Sequence, residues 1–130
     1  MPTEISSVYA LWLGLNLLLT LGLGLNVTRY RFKQAKGEAS EDRLQQAIRA
    51  HGNNIEYVPF ALLALGVLAL LGCSEIWIHG FGGTLFVARI FHAYGLQLAE
   101  PALPKSRLIG NFLTWLVMLV MGIMLIASAF

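Results

Sequence analysis

Residues 5–28 read ISSVYALWLGLNLLLTLGLGLNVT, without one charged side chain. A helix rises about 1.5 Å per residue, so such a run can cross a hydrocarbon core of about 30 Å. Residues 108–130 are also charge-free, residues 57–74 carry no charge, and residues 76–99 carry one, Arg89. The whole chain of 130 residues is 57% apolar and 12% charged. Soluble domains average about 45–50% apolar and about 25% charged. This balance is that of a small membrane protein.

Within lipid every backbone N–H and C=O must find a partner inside the protein, which leaves helices or closed barrels. Runs of Leu, Ala and Gly without strict alternation argue for helices. The expected fold is all-α: one integral membrane domain over residues 1–130, an up-down bundle with helices over about 5–30, 41–71, 74–98 and 107–129. The second helix is expected to begin in water or at the headgroups, near Leu44, before entering the bilayer. Gly37 breaks the first link, and Ser40 offers an N-cap followed by Glu41 and Asp42. Gly72-Cys73 forms the second link, with Ser74 as its N-cap. The third, residues 99–106, holds Pro101 and Pro104.

Charge placement sets orientation. Arg29, Arg31, Lys33, Lys36 and Arg43 flank the first link, and Lys105 and Arg107 belong to the third. The second link has no Lys or Arg. The positive-inside rule therefore puts links one and three in the cytoplasm and both termini outside. The first helix has no positive n-region and is too long for the apolar part of a cleaved signal. Asn26-Val27-Thr28 fits a glycosylation sequon, but at the cytoplasmic end of a helix it reads as chance.

A net charge of +2 and the lack of a basic stripe give nucleic acid nothing to bind. One cysteine, Cys73, rules out a disulfide framework. His51, His92 and Glu56 have no metal-ligand spacing, so no metal is expected.

Polar residues inside apolar helices are costly and mark function or interhelical pairing. Arg49, Asn53 and Glu56 lie at i, i+4 and i+7, on one helical face. Arg89 and His92 lie at i and i+3, with Tyr94 close by. A cation, an amide and an anion one turn apart suit a zwitterionic ligand: Arg can clamp a carboxylate and Glu can hold an ammonium. The same residues also suit a purely structural ion-pair network of Arg49, Glu56 and Arg89. His51 points to another face, open to a ligand contact or an interhelical hydrogen bond. His79 reads as interfacial.

The run from Arg49 to Pro59, RAHGNNIEYVP, resembles the signature of the family of membrane-associated proteins in eicosanoid and glutathione metabolism. That pattern is Arg-x-His/Gln-x-Asn-x-x-Glu, followed closely by an aromatic residue and Pro. Ala88-Arg89-Ile90-Phe91-His92 resembles the family's third-helix motif. The resemblance covers nearly the whole chain. It implies a homotrimer that binds glutathione as co-substrate between neighbouring subunits, toward the cytoplasm, with membrane lipids around it. Arg49, His51, Asn53, Glu56 and Tyr57 then match second-helix positions of the motif, and Arg89 and His92 match third-helix contacts. Arg29 or Arg31 corresponds to a basic residue that grips a glutathione carboxylate. Arg107, with Lys105 behind it, corresponds to the arginine that stabilises the thiolate.

The implied activity is a transferase or peroxidase that conjugates glutathione to apolar electrophiles or reduces lipid hydroperoxides. The alternative is a non-catalytic lipid-binding or scaffold protein of the same fold. Leu96 stands where several eicosanoid enzymes have a tyrosine one turn after the His92 position, and Tyr94 falls on another face. Gly52 and the short flanks resemble bacterial members, which implies a bacterial inner membrane.

Orientation is directly testable. Alkaline phosphatase fused after Phe130 is expected to be active in a bacterial host, and the same enzyme inserted at Gly37 inactive. The opposite pattern would reverse the assignment.

Overall fold

The computed structural model describes residues 6–98 and 104–130. It contains four α-helices: α1 Ser7–Ala35, α2 Glu41–Leu70, α3 Glu75–Ala93 and α4 Pro104–Ala127. A π-helical turn, Tyr94–Leu98, continues α3. No strand occurs among the described residues. Pro101 of the third link lies outside them.

Two glycines end the first two helices in the same way. Gly37 has φ 73° and Gly72 has φ 82°, the left-handed conformation that only glycine adopts without cost. The amides of Gly37 and Glu38 donate to the carbonyls of Gln34 and Lys33. The amides of Gly72 and Cys73 donate likewise to Ala69 and Leu68. Each set is a Schellman closure, in which the last carbonyls of the helix find donors inside the chain.

Ser40 caps α2 as its position suggests, accepting from the Arg43 amide at 3.3 Å. Ser74 occupies the N-cap of α3 but makes no side-chain cap bond. α1 runs five residues beyond the expected limit at Tyr30, so Arg31 and Lys33 are helical rather than part of a link. Lys, Arg and Gln are good helix formers, and only Gly37 stops the run. The joint is fastened by Arg43, whose guanidinium donates to the Tyr30 hydroxyl at 3.1 Å and stacks over its ring. Gln34 also donates to Glu41 across the turn. α4 begins at Pro104 rather than near Arg107. Proline suits a first helical turn, where its missing N–H has no partner to lose.

Three helices, α1, α2 and α4, are long and apolar enough to cross a membrane. α3 is shorter, and its 19 residues include Glu75, His79, Arg89, His92 and three glycines. It supplies much of the interior, with Ile78, Leu85 and Ala88 fully buried. α2 and α3 pack against each other and each touches both α1 and α4, whereas α1 and α4 do not meet among the described residues.

The core joins Val58, Leu65 and Leu68 of α2, Ile78, Phe81 and Leu85 of α3, and Val117 and Met121 of α4. Outside it, Leu17, Leu18 and Leu21 of α1, Phe60 and Leu63 of α2 and Leu119 and Ile126 of α4 are exposed. A soluble monomer rarely presents so much contiguous apolar surface. On a membrane helix the same surface meets hydrocarbon.

One close approach governs where α4 sits. A Cβ placed on Gly110 would lie 2.4 Å from the Ala88 carbonyl oxygen and 2.7 Å from the His92 amide nitrogen. Backbone meets backbone here, so no side chain can move aside. Gly110→Val is expected to force α4 off α3 and cost about 1–3 kcal/mol or more. Thermal unfolding in detergent should show a clear fall in the midpoint.

Candidate functional site

Three helices converge on one cavity of about 400 Å³. α2 contributes Arg49, Asn53 and Glu56, with Ile48 and Gly52 beside them. The segment from α3 into the π turn gives His92 and Leu96, and α4 gives Arg107 and Asn111. The i, i+4, i+7 face of α2 is therefore the face that meets this space. Arg107 and Asn111, also four apart, share a face of α4. Gly52 leaves the α2 wall without a side chain between Arg49 and Asn53.

Behind the wall lies a chain of polar contacts. The Arg89 guanidinium is 1% exposed. Its Nε donates to Asn54 Oδ1 at 3.1 Å, and Nη2 donates to Asn53 Oδ1 at 2.7 Å. Nη2 also lies 3.2 Å from His92 Nδ1. Asn54 passes the chain on, donating through Nδ2 to Thr20 Oγ1 at 2.8 Å. Thr20 donates to the Asn16 carbonyl, and the Asn16 side chain donates to the Trp12 carbonyl. Trp12 Nε1 donates in turn to His79 Nδ1 at 3.2 Å, which places His79 against α1. Three helices are joined through Arg89 by hydrogen bonds that lipid cannot replace.

This geometry separates the candidate residues. Arg49, Asn53, Glu56, His92 and Arg107 line the cavity. Arg89 does not: it is buried behind, and it reaches the site through Asn53 and His92. The ion-pair network of Arg49, Glu56 and Arg89 does not form; the partners of Arg89 are amides and an imidazole. Arg49 and Glu56 are both exposed, two turns apart on the cavity wall.

His51 points to α1, where its ring packs on Gly24 with Nε2 3.2 Å from the position of a Cβ. The Tyr57 ring sits 6.4 Å from that of Trp115 on α4, edge to face, and outside the cavity wall. Tyr94 is 45% exposed on the outer side of the π turn. Arg29 and Arg31 are exposed near the end of α1 and do not reach this cavity within one chain.

Two residues escaped the reading of spacing. Asn111 lines the cavity with Oδ1 buried and without a hydrogen-bond partner. The available signal was its offset of four from Arg107 in an otherwise apolar helix. Asn54 is fully buried at the junction of α1, α2 and α3. As the neighbour of Asn53 it points about 100° away from the cavity face.

Asn54→Leu would remove the acceptor of Arg89 Nε and the donor to Thr20 together. Each buried polar group left unpaired costs about 1–3 kcal/mol. The expected result is a destabilised protein in thermal unfolding, with Asn54→Asp less affected because it keeps the acceptor.

Comparison with known proteins agrees with this architecture. A family model described as the MAPEG family matches residues 9–127. The chain is 33% identical over 116 residues to the inner membrane protein YecN of Escherichia coli K12, a match covering 88% of this chain and 86% of that protein. YecN of E. coli O6:H1 matches equally well. No solved structure matches. The family match spans all four helices, and it places the arginine–asparagine–glutamate face of α2 inside a family of membrane proteins of glutathione and eicosanoid metabolism: this chain belongs to the MAPEG family.

Proposed function

We propose that the cavity between α2, α3 and α4 binds glutathione and that the protein is a membrane-bound glutathione transferase, with peroxidase activity toward lipid hydroperoxides. The observation that carries this reading is the charge pattern of the wall. Arg49 is a cation for one carboxylate, Glu56 an anion for the ammonium group, Asn53 and Asn111 are amides, and Arg107 is a second cation left to face the thiol. Glutathione has two carboxylates, one ammonium group and peptide amides. Guanidinium groups bind carboxylates through paired N–H donors, and a carboxylate holds an ammonium group. A volume of about 400 Å³ lies within the range of small-molecule sites, about 300–1,000 Å³.

In this reading Arg49 and Glu56 hold the ends of the tripeptide, and Arg107 faces its thiol. A thiol of cysteine type has a pKa near 8.5, and an adjacent guanidinium stabilises its thiolate. The thiolate attacks an apolar electrophile arriving from the bilayer, forming a carbon–sulfur bond as the leaving group departs with the electron pair. With a hydroperoxide it attacks the terminal oxygen instead. The alcohol leaves, a sulfenic acid forms, and a second glutathione condenses with it to give the disulfide and water.

The reading includes a homotrimer in a bacterial inner membrane, with the site toward the cytoplasm. Exposed Arg49 and Glu56 support association, since charged side chains within a bilayer need another helix or a ligand beside them. Arg29 and Arg31, distant from the cavity of their own chain, would then face that of a neighbour.

Isothermal titration of the purified protein with glutathione is expected to show binding, lost in Arg49→Ala and in Glu56→Ala. Removing a charged hydrogen-bond partner costs about 1.5–3 kcal/mol, or roughly a tenfold to hundredfold loss of affinity. Arg107→Ala should retain binding but lose turnover of chlorodinitrobenzene or cumene hydroperoxide. Absence of binding to the unaltered protein at millimolar glutathione would overturn the reading. Binding without turnover would identify a non-catalytic member of the fold.

A further inference from the structure

Asn16, Arg89, Gln97 and Asn111 each keep a buried side-chain nitrogen or oxygen without a hydrogen-bond partner among the described residues. Buried polar groups are almost always paired, and an orphaned one calls for a reason. Gln97, with Ala93, faces a second and largely apolar cavity across the π turn from His92 and Leu96. Asn111 alone of the four lines the charged cavity. Its orphan is Oδ1, an acceptor.

Position separates Asn111 from the groups that hold a tripeptide. Arg49, Asn53 and Glu56 belong to α2, across the cavity. α4 enters the bilayer from the third link at Pro104. Asn111 therefore lies four residues, about 6 Å, deeper than Arg107 on the same helical face. With a thiolate facing Arg107, an apolar second substrate arrives from the hydrocarbon, on the Asn111 side. Donors nearby are already committed. Thr114 Oγ1 donates to the Gly110 carbonyl at 2.8 Å, and Arg89 spends Nε and Nη2 on the α2 amides. Ile48 and Leu96 on the wall have no side-chain donor. The acceptor on Asn111 thus calls for a donor carried by the substrate. An aryl halide has no N–H or O–H to offer. A hydroperoxide has one, on its outer oxygen. A primary amide matches it, accepting that O–H at Oδ1 and donating Nδ2–H to the inner oxygen.

We infer that Asn111 makes this site selective for hydroperoxides among apolar electrophiles. The inference rests on the glutathione reading proposed above and adds the residue that chooses the second substrate. The thiolate attacks the outer oxygen, which keeps its hydrogen and becomes the hydroxyl of a sulfenic acid. The O–O bond breaks, and the inner oxygen leaves with the electron pair. It takes up the proton that glutathione released on forming its thiolate. Asn111 Nδ2–H donates to that inner oxygen as its negative charge develops, when a fixed donor contributes most. A second glutathione then reduces the sulfenic acid, giving disulfide and water, so two thiols supply the two electrons.

The test uses the purified full chain in detergent and Asn111→Leu, a change of similar size at an oxygen with no hydrogen-bond partner to lose. Glutathione titration is followed by turnover of cumene hydroperoxide and of chlorodinitrobenzene under the same conditions. The ratio of kcat/KM for the hydroperoxide to that for the halide is expected to fall about tenfold or more, the loss of one hydrogen bond to a group that becomes charged. A second arm leaves the protein unaltered. Cumyl alcohol, which carries an O–H, should inhibit halide turnover about three- to tenfold more tightly than its methyl ether. Asn111→Leu should erase that difference. An unchanged ratio, or equal inhibition by alcohol and ether, overturns this inference and leaves glutathione binding standing. Weaker glutathione titration with both activities lowered equally in Asn111→Leu also overturns it, since Asn111 would then hold the tripeptide. Absence of glutathione binding to the unaltered protein removes the underlying reading and this one with it.

Discussion

Arg89 sits where neither water nor lipid can solvate it, and its guanidinium must be held by other side chains. Asn53 and Asn54 of α2 and His92 of α3 hold its Nε and Nη2, while Nη1 is buried without a partner. Through Asn54 the requirement extends to Thr20 and Asn16 of α1. In a bilayer there is no hydrophobic drive between helices, so packing and interhelical hydrogen bonds set their arrangement. The buried arginine makes those bonds specific. It pins α2 to α3 at one register and brings α1 to the same height.

The cavity follows from that register. Asn53 presents its side chain at the wall while its oxygen is tied to Arg89, and His92 is tied by its Nδ1. A site whose polar groups are fixed from behind needs little reorganisation when a ligand arrives. Gly110 completes the wall by letting the α4 backbone lie against Ala88 and His92, which brings Arg107 and Asn111 to face α2. The π turn at Tyr94–Leu98 then divides the end of α3 between two cavities, one charged and one apolar.

Much of this was legible in the residues. The i, i+4, i+7 spacing of Arg49, Asn53 and Glu56 places them on one face of any helix, and the structure puts that face on the cavity. The offset of three between Arg89 and His92 predicted neighbours, and they touch. Gly37 and Ser40 marked the first turn by chemistry that acts over a few residues. In α3 the one charge of an apolar run, Arg89, marked a face that the structure buries together with His92.

Sequence by itself determined the helices, their number and the polar face of α2, because helical periodicity and capping are local. It also determined the membrane setting, because charge-free runs of spanning length need no tertiary context to be read. Only the tertiary structure decided what each polar residue meets. Arg89 and Arg49 look alike in the sequence, yet one is buried among amides and the other lines a cavity. Asn53 and Asn54 are adjacent, yet one faces the site and the other joins three helices. The difference is a rotation of about 100° per residue about an axis whose neighbours no single segment specifies. Gln97 makes the same point, since its unpaired burial exists only once α1 lies against the π turn.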